Sequence, residues 1–239
     1  MNVNETVVTL DVDGSSMEVF RFSPEGDGPF PALILAQHIP VGHTGIENDE
    51  FTLVTARRYA AAGYEVAVPF IFHWWPKDGE MMDKAKESRD HLTVADLTAT
   101  HTLLAGDDRV NPEKIGIAGH CWGGRVAWIG ACHLPLAACI VFYGGRIKLP
   151  FGDGTPPIEM ADRIQCPVAG FFGNDDANPT PEDVDDYEAA LVAAGITPEF
   201  HRYDGAGHAF QNFPTPERYR EAQSEDAWAK ALDFLARSL

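Results

Sequence analysis

The sequence predicts an α/β fold: a mostly parallel central sheet with helices on both faces, opened by an N-terminal antiparallel hairpin. Three observations carry this. Continuous apolar runs of strand length recur, as in Ala32-Leu33-Ile34-Leu35-Ala36 and Ala138-Cys139-Ile140-Val141-Phe142-Tyr143, the pattern of strands covered on both faces. Segments with helical spacing alternate with these runs. The runs close on loops that carry glycine, aspartate or histidine. No linker, repeat or low-complexity tract interrupts the chain, so one domain over residues 1–239 is expected.

In chain order, residues 7–10 and 17–22 form the expected hairpin about Asp13-Gly14, with alternation in the second strand marking one solvated face. A loop rich in glycine, proline and acid leads to the strand 32–36, which ends at Gln37-His38-Ile39-Pro40. After a polar loop over 42–49, residues 51–62 have helical spacing and Gly63 is a good stop. A short strand over 64–69 follows, then an irregular aromatic segment containing His73-Trp74-Trp75-Pro76. One long helix is expected over 85–104. Next comes a strand, a turn crowded with glycine and a helix through His133. Further strands are expected at 138–143, 167–172 and 199–203, with helices at 181–194 and 216–239.

Composition narrows the function. The formal net charge is −18, from 18 Lys+Arg against 36 Asp+Glu, which argues against nucleic acid and anionic membrane surfaces as partners. No apolar run approaches the length of a membrane span, and Met1-Asn2-Val3-Asn4-Glu5-Thr6 lacks the basic start and apolar core of a secretory signal. Four cysteines with no C-x-x-C spacing suit a reduced, cytoplasmic protein. Monomer and homodimer both remain open.

The chemistry centres on Gly119-His120-Cys121-Trp122-Gly123, which fits a nucleophile elbow with cysteine in the place of serine. Such a turn lifts the central side chain above the sheet edge, so Cys121 is the candidate nucleophile. The plainer reading is a small buried thiol at a strand end. A cysteine nucleophile needs a base, a group to orient the base, and donors for an oxyanion. Asp175 and Asp176 follow one apolar strand and His208 follows another, and catalytic groups gather at such strand ends in open α/β sheets. Nucleophile, acid and histidine then occur in the α/β-hydrolase chain order.

On these residues the chain resembles the dienelactone hydrolase family of α/β hydrolases. Its matching features are Gly119-His120-Cys121-Trp122-Gly123-Gly124, Phe142-Tyr143-Gly144-Gly145, Gly173-Asn174-Asp175-Asp176 and Gly205-Ala206-Gly207-His208-Ala209-Phe210. The resemblance implies an α/β-hydrolase fold and hydrolysis of a small-molecule carboxylic ester or lactone through a thioester acyl-enzyme. It implies Cys121 as nucleophile, His208 as base and Asp176 as orienting acid, because the family's acid stands three residues beyond the glycine that is Gly173 here. Asp175 is the competitor. The backbone N–H groups of Ile39 and Trp122 are the implied oxyanion donors, and no cofactor or metal is implied.

Two departures stand out. Family members carry Gln-Glu-Ile where this chain reads Gln37-His38-Ile39, so an imidazole replaces the glutamate that takes part in activating the cysteine. His38 could pair with a thiolate or simply wall the pocket. Dienelactone enzymes also hold a substrate carboxylate with arginines. Neither the segment between Pro69 and Asp96 nor Ala209-Phe210-Gln211-Asn212-Phe213 offers an evident match, with Arg89 as a substitute or a helix-surface residue. A broader ester or lactone specificity is therefore expected. Trp74, in His73-Trp74-Trp75, is a candidate pocket wall or ordinary packing. His38 and His43 with Glu47 and Asp49 match no ordinary zinc spacing. A catalytically silent protein that binds a ligand, or senses oxidants through Cys121, is the rival from another class.

Overall fold

The computed structural model describes residues 3–39 and 45–239. Its core is one eight-stranded sheet in the order β1-β2-β4-β3-β5-β6-β7-β8. The strands are β1 (Val3–Val12), β2 (Ser15–Pro24), β3 (Phe30–Ala36), β4 (Glu65–Pro69), β5 (Val110–His120), β6 (Ala138–Phe142), β7 (Val168–Gly173) and β8 (Glu199–Tyr203). The hairpin is antiparallel and joins the sheet through β2 beside β4, while β4, β3 and β5 to β8 run parallel. The helices are α1 (Glu50–Ala61), α2 (Met81–Glu87), α3 (Asp90–Ala105), α4 (Trp122–His133), α5 (Pro181–Ala193) and α6 (Glu221–Ser238), with a 3-10 helix at Pro157–Arg163. None of these helices is long and apolar enough to cross a membrane.

The central strands are apolar because both of their faces are covered. Leu33, Ile34, Ile117, Ala118, Ile140 and Val141 are all fully buried. The hairpin behaves differently. Much of β1 is exposed, and β2 is anchored to the sheet by a charged contact, in which Arg21 donates to the buried Glu65 at 2.5 Å and to Asp107 at 2.6 Å. Ser23 also donates to Glu65, at 2.9 Å, so the donors converge on Oε1 of this buried carboxylate while Oε2 has no partner among the described residues.

Two helices differ from expectation. The long helix is broken into α2 and α3 by extended backbone at Ser88 and Arg89. At the start of α3, the Asp90 carboxylate takes a bidentate pair of bonds from the buried Arg125 of α4 and a third from Phe151 N–H. A tertiary contact thus outweighs local helix propensity. The terminal helix begins at Glu221 rather than Pro216, because Arg220 N–H bonds Phe210 carbonyl and residues 211–220 fold back as turns. These corrections matter for function, since the residues freed from the last helix border the site.

Candidate active site

β5 ends at His120, and α4 starts at Trp122. Cys121 alone makes the turn, with φ 55° and ψ −119°, a backbone region that side chains rarely occupy. The turn can close only because its flanks are glycine: a Cβ on Gly119 would overlap the Gly123 carbonyl, and one on Gly123 would overlap the Ala36 carbonyl. The strain is held by bonds on either side, from Cys121 N–H to Phe142 carbonyl (3.0 Å) and from Gly124 N–H to Cys121 carbonyl (3.0 Å). Half-buried Cys121 therefore sits at the N-terminal, positive end of a helix, which favours negative charge there.

His208 Nε2 lies 3.0 Å from Cys121 Sγ, and His208 Nδ1 lies 2.9 Å from Asp176 Oδ2. Asp176 is buried and uses its other oxygen to accept from Asn178 N–H at 2.8 Å, which fixes the carboxylate. Asp175 is exposed, and Asp176 is the aspartate that meets His208. Burial alone would lower the His208 pKa, but the Asp176 and Cys121 partners outweigh it and push the imidazole up to about 10. The ring is bordered edge-on by Tyr143 at 5.4 Å. The Tyr143 hydroxyl is fully buried without a hydrogen-bond partner among the described residues, and burial pushes its pKa up.

Cys121 and His208 open on a cleft of about 400 Å³ that is also lined by His38, Ile39, Asp49 and Phe51, with Asp176 buried behind them. Trp122 N–H, in the first turn of α4, and Ile39 N–H bond no group among the described residues, so both remain available as donors. His38 Nε2 is 2.9 Å from Asp49 Oδ2. Asp49 is the N-cap of α1 and also accepts from Thr52 N–H at 3.2 Å and Thr52 Oγ1 at 2.5 Å. Burial works to raise the Asp49 pKa, yet these bonds hold its carboxyl below the usual range. Next to His38, burial and the His38 ring drive the His120 pKa down to about 3, so His120 is neutral.

Not every expected residue is here. Trp74 is absent from the cleft lining and donates from Nε1 to Asp96 at 3.2 Å. Arg89 precedes α3 and donates to the carbonyls of Lys86, Glu87 and Ser88, closing the end of α2. All three bonds come from Nη1. His43 lies outside the described residues. The sequence reading missed Phe51 and Arg218, and weighed Asp49 only as a metal ligand. An Asp three residues before Thr52 is a legible helix-cap signal, but nothing local showed that the cap would also meet His38. Arg218 reaches the cleft rim as an exposed side chain because α6 starts late, and Glu50 and Glu217 border it.

Comparison with known proteins agrees with this architecture. The family model described as the dienelactone hydrolase family matches residues 17–239. A "Putative carboxymethylenebutenolidase" of Methylorubrum extorquens is 27% identical, with 95% of this chain and 79% of that protein covered. A carboxymethylenebutenolidase of Rhodococcus opacus is 28% identical over 90% of this chain and 88% of its own. The solved structure of a "Putative Dienelactone Hydrolase" from Klebsiella pneumoniae superposes with a TM-score of 0.87 at 26% identity, covering 99% of each chain. The fold is the α/β-hydrolase fold, and the chain belongs to the dienelactone hydrolase family of hydrolases that act on carboxylic esters.

Proposed function

We propose that the protein hydrolyses a small-molecule carboxylic ester or lactone through a thioester formed on Cys121. The observation that carries this reading is the continuous Cys121–His208–Asp176 relay, with both links at about hydrogen-bond length, opening on a cleft. The raised His208 pKa means that the imidazole holds a proton against the sulfur, as an imidazolium–thiolate pair does. The sulfur attacks the carbonyl carbon while the Ile39 and Trp122 amides take the developing oxyanion. His208 delivers its proton to the departing alkoxide, and Asp176 holds the ring in register throughout. A thioester is an activated acyl donor to water, so the second half-reaction needs no cofactor. Its relatives' names point to lactones, and Arg218 at the rim gives an anionic substrate one cation to meet.

Rapid mixing with p-nitrophenyl acetate tests the assignment. Wild-type protein should release a burst of p-nitrophenol followed by turnover, and Cys121→Ala should lose both, with turnover down about 10⁴-fold. Turnover that survives in Cys121→Ala would sink the cysteine mechanism.

A further inference from the structure

We infer that His38 and Asp49 form a second base in the same cleft, which takes the proton from water when the acyl-enzyme is hydrolysed. The inference rests on Cys121 being the nucleophile and adds a division of labour between two imidazoles.

The two histidines are held alike and left open differently. Each places one ring nitrogen 2.9 Å from a buried aspartate, Nδ1 to Asp176 in His208 and Nε2 to Asp49 in His38. Because a carboxylate only accepts, His38 Nε2 carries a proton, and in the neutral ring Nδ1 keeps a lone pair. The other nitrogen of His208 is engaged by the Cys121 sulfur at 3.0 Å. His38 Nδ1 has no partner among the described residues, and the ring is only 11% exposed. Phe51 packs against it edge-on at 5.2 Å, and the Thr52 bonds fix Asp49 at the head of α1, so the pair is rigid. His38 also adjoins Ile39, whose amide would hold the oxyanion. Donor and base thus come from one stretch of chain.

The chemistry gives this pair a use. When a lactone opens on Cys121, the alcohol it releases stays tethered to the acyl group. It remains beside His208, which has just given it a proton, and the same base can take that proton back and reclose the ring. A second base on another element breaks this symmetry. Water attacks the thioester carbonyl carbon, and its proton passes to His38 Nδ1. The tetrahedral intermediate collapses with cleavage of the C–S bond, whose electron pair leaves on sulfur. The acid so formed gives its proton to His208, which restores the imidazolium–thiolate pair and leaves a carboxylate. His38 then loses its proton to solvent. A linear ester sheds its alcohol to solvent, leaving His208 free to activate water, so it depends on His38 less.

The test uses the full-length protein with two substrates that share an acyl skeleton, dihydrocoumarin and p-nitrophenyl 3-phenylpropanoate. In His38→Gln, steady-state hydrolysis of the lactone should fall roughly 100-fold, within the range of general-base effects. Intact-mass analysis of acid-quenched samples should show the acyl adduct on Cys121 accumulating, while the p-nitrophenol burst rate stays within about twofold and linear-ester turnover falls less than about fivefold. Asp49→Asn, whose amide oxygen can still cap α1, should move in the same direction by a smaller factor. Equal losses on both substrates, or no accumulated adduct, would overturn the second base. An acyl adduct that persists when Cys121→Ala is combined with His38→Gln would instead overturn the nucleophile assignment.

Discussion

Two relays in this molecule look alike on paper. Cys121–His208–Asp176 spans the ends of β5 and β7 and the loop after β8, while Ser15–His73–Asp96 ties the hairpin to the loop after β4 and to α3. In the second, Ser15 Oγ lies 2.9 Å from His73 Nδ1 and His73 Nε2 lies 2.8 Å from Asp96 Oδ1. The distances match those of the first. What differs is the setting. His208 is 29% exposed and faces a cleft, whereas His73 is 2% exposed, and neither it nor Ser15 lines a described cavity shared with the site. Ser15 stands in regular strand and also donates to the His73 carbonyl at 3.3 Å, while Cys121 occupies a strained turn at the head of a helix. Burial pushes the Asp96 carboxyl up, with the His73 and Trp74 bonds offsetting it only in part. A nucleophile, an imidazole and a carboxylate in line do not make a site. The first relay adds an opening, unbonded amides at Ile39 and Trp122, and a strained turn at Cys121.

The largest effect should come from swapping the tests between relays. His208→Ala should reduce ester turnover about 10³- to 10⁴-fold, and Ser15→Ala should leave it within about twofold. Ester hydrolysis that depends on Ser15 would erase the distinction. Next in size is a contrast in stability: Asp96→Ala strands a buried imidazole and should cost about 2–3 kcal/mol in urea unfolding. Activity per folded molecule should be retained, and a loss of turnover without unfolding would bring this relay into the chemistry.

A subtler difference is in pH. The His208 pKa is raised from its ordinary 6.5 to about 10, so the folded state holds this proton more tightly than the unfolded chain. Its contribution to stability is full below about 6.5 and is lost as pH rises through about 10. The gap in urea midpoint between wild type and His208→Gln should therefore be widest near pH 6 and narrow toward pH 10; a gap that grows with pH would contradict the sign. Smallest is the rim: Arg218→Ala should raise KM for anionic esters about two- to fivefold and leave neutral esters unchanged, as expected of one exposed cation. A uniform change across both would remove Arg218 from substrate recognition.

Much of this was legible before folding. Cys121 could be singled out because an elbow needs glycines at fixed offsets, and strand ends could be located because buried strands are uniformly apolar. The order of Asp176 and His208 along the chain followed from the same pattern. Choosing Asp176 over Asp175 leaned on family spacing, and burial now separates the two. Arg89 and Trp74 could not be placed from sequence, for one reason. Their side chains answer to neighbours close in space, a helix end for Arg89 and the buried Asp96 for Trp74, which no local pattern reports.

By itself the sequence determined the α/β-hydrolase layout and the cysteine turn, because both rest on constraints between near neighbours: periodic burial, and steric room for a tight bend. Only the tertiary structure decided that α2 and α3 separate, that Arg218 reaches the rim, and that His38 meets Asp49 while His73 meets Asp96. Each of these outcomes is a hydrogen bond or approach between groups that the sheet brings together. Such pairings are selected by the cost of leaving a buried charge or donor unmatched, which becomes definite only once the fold has removed the water.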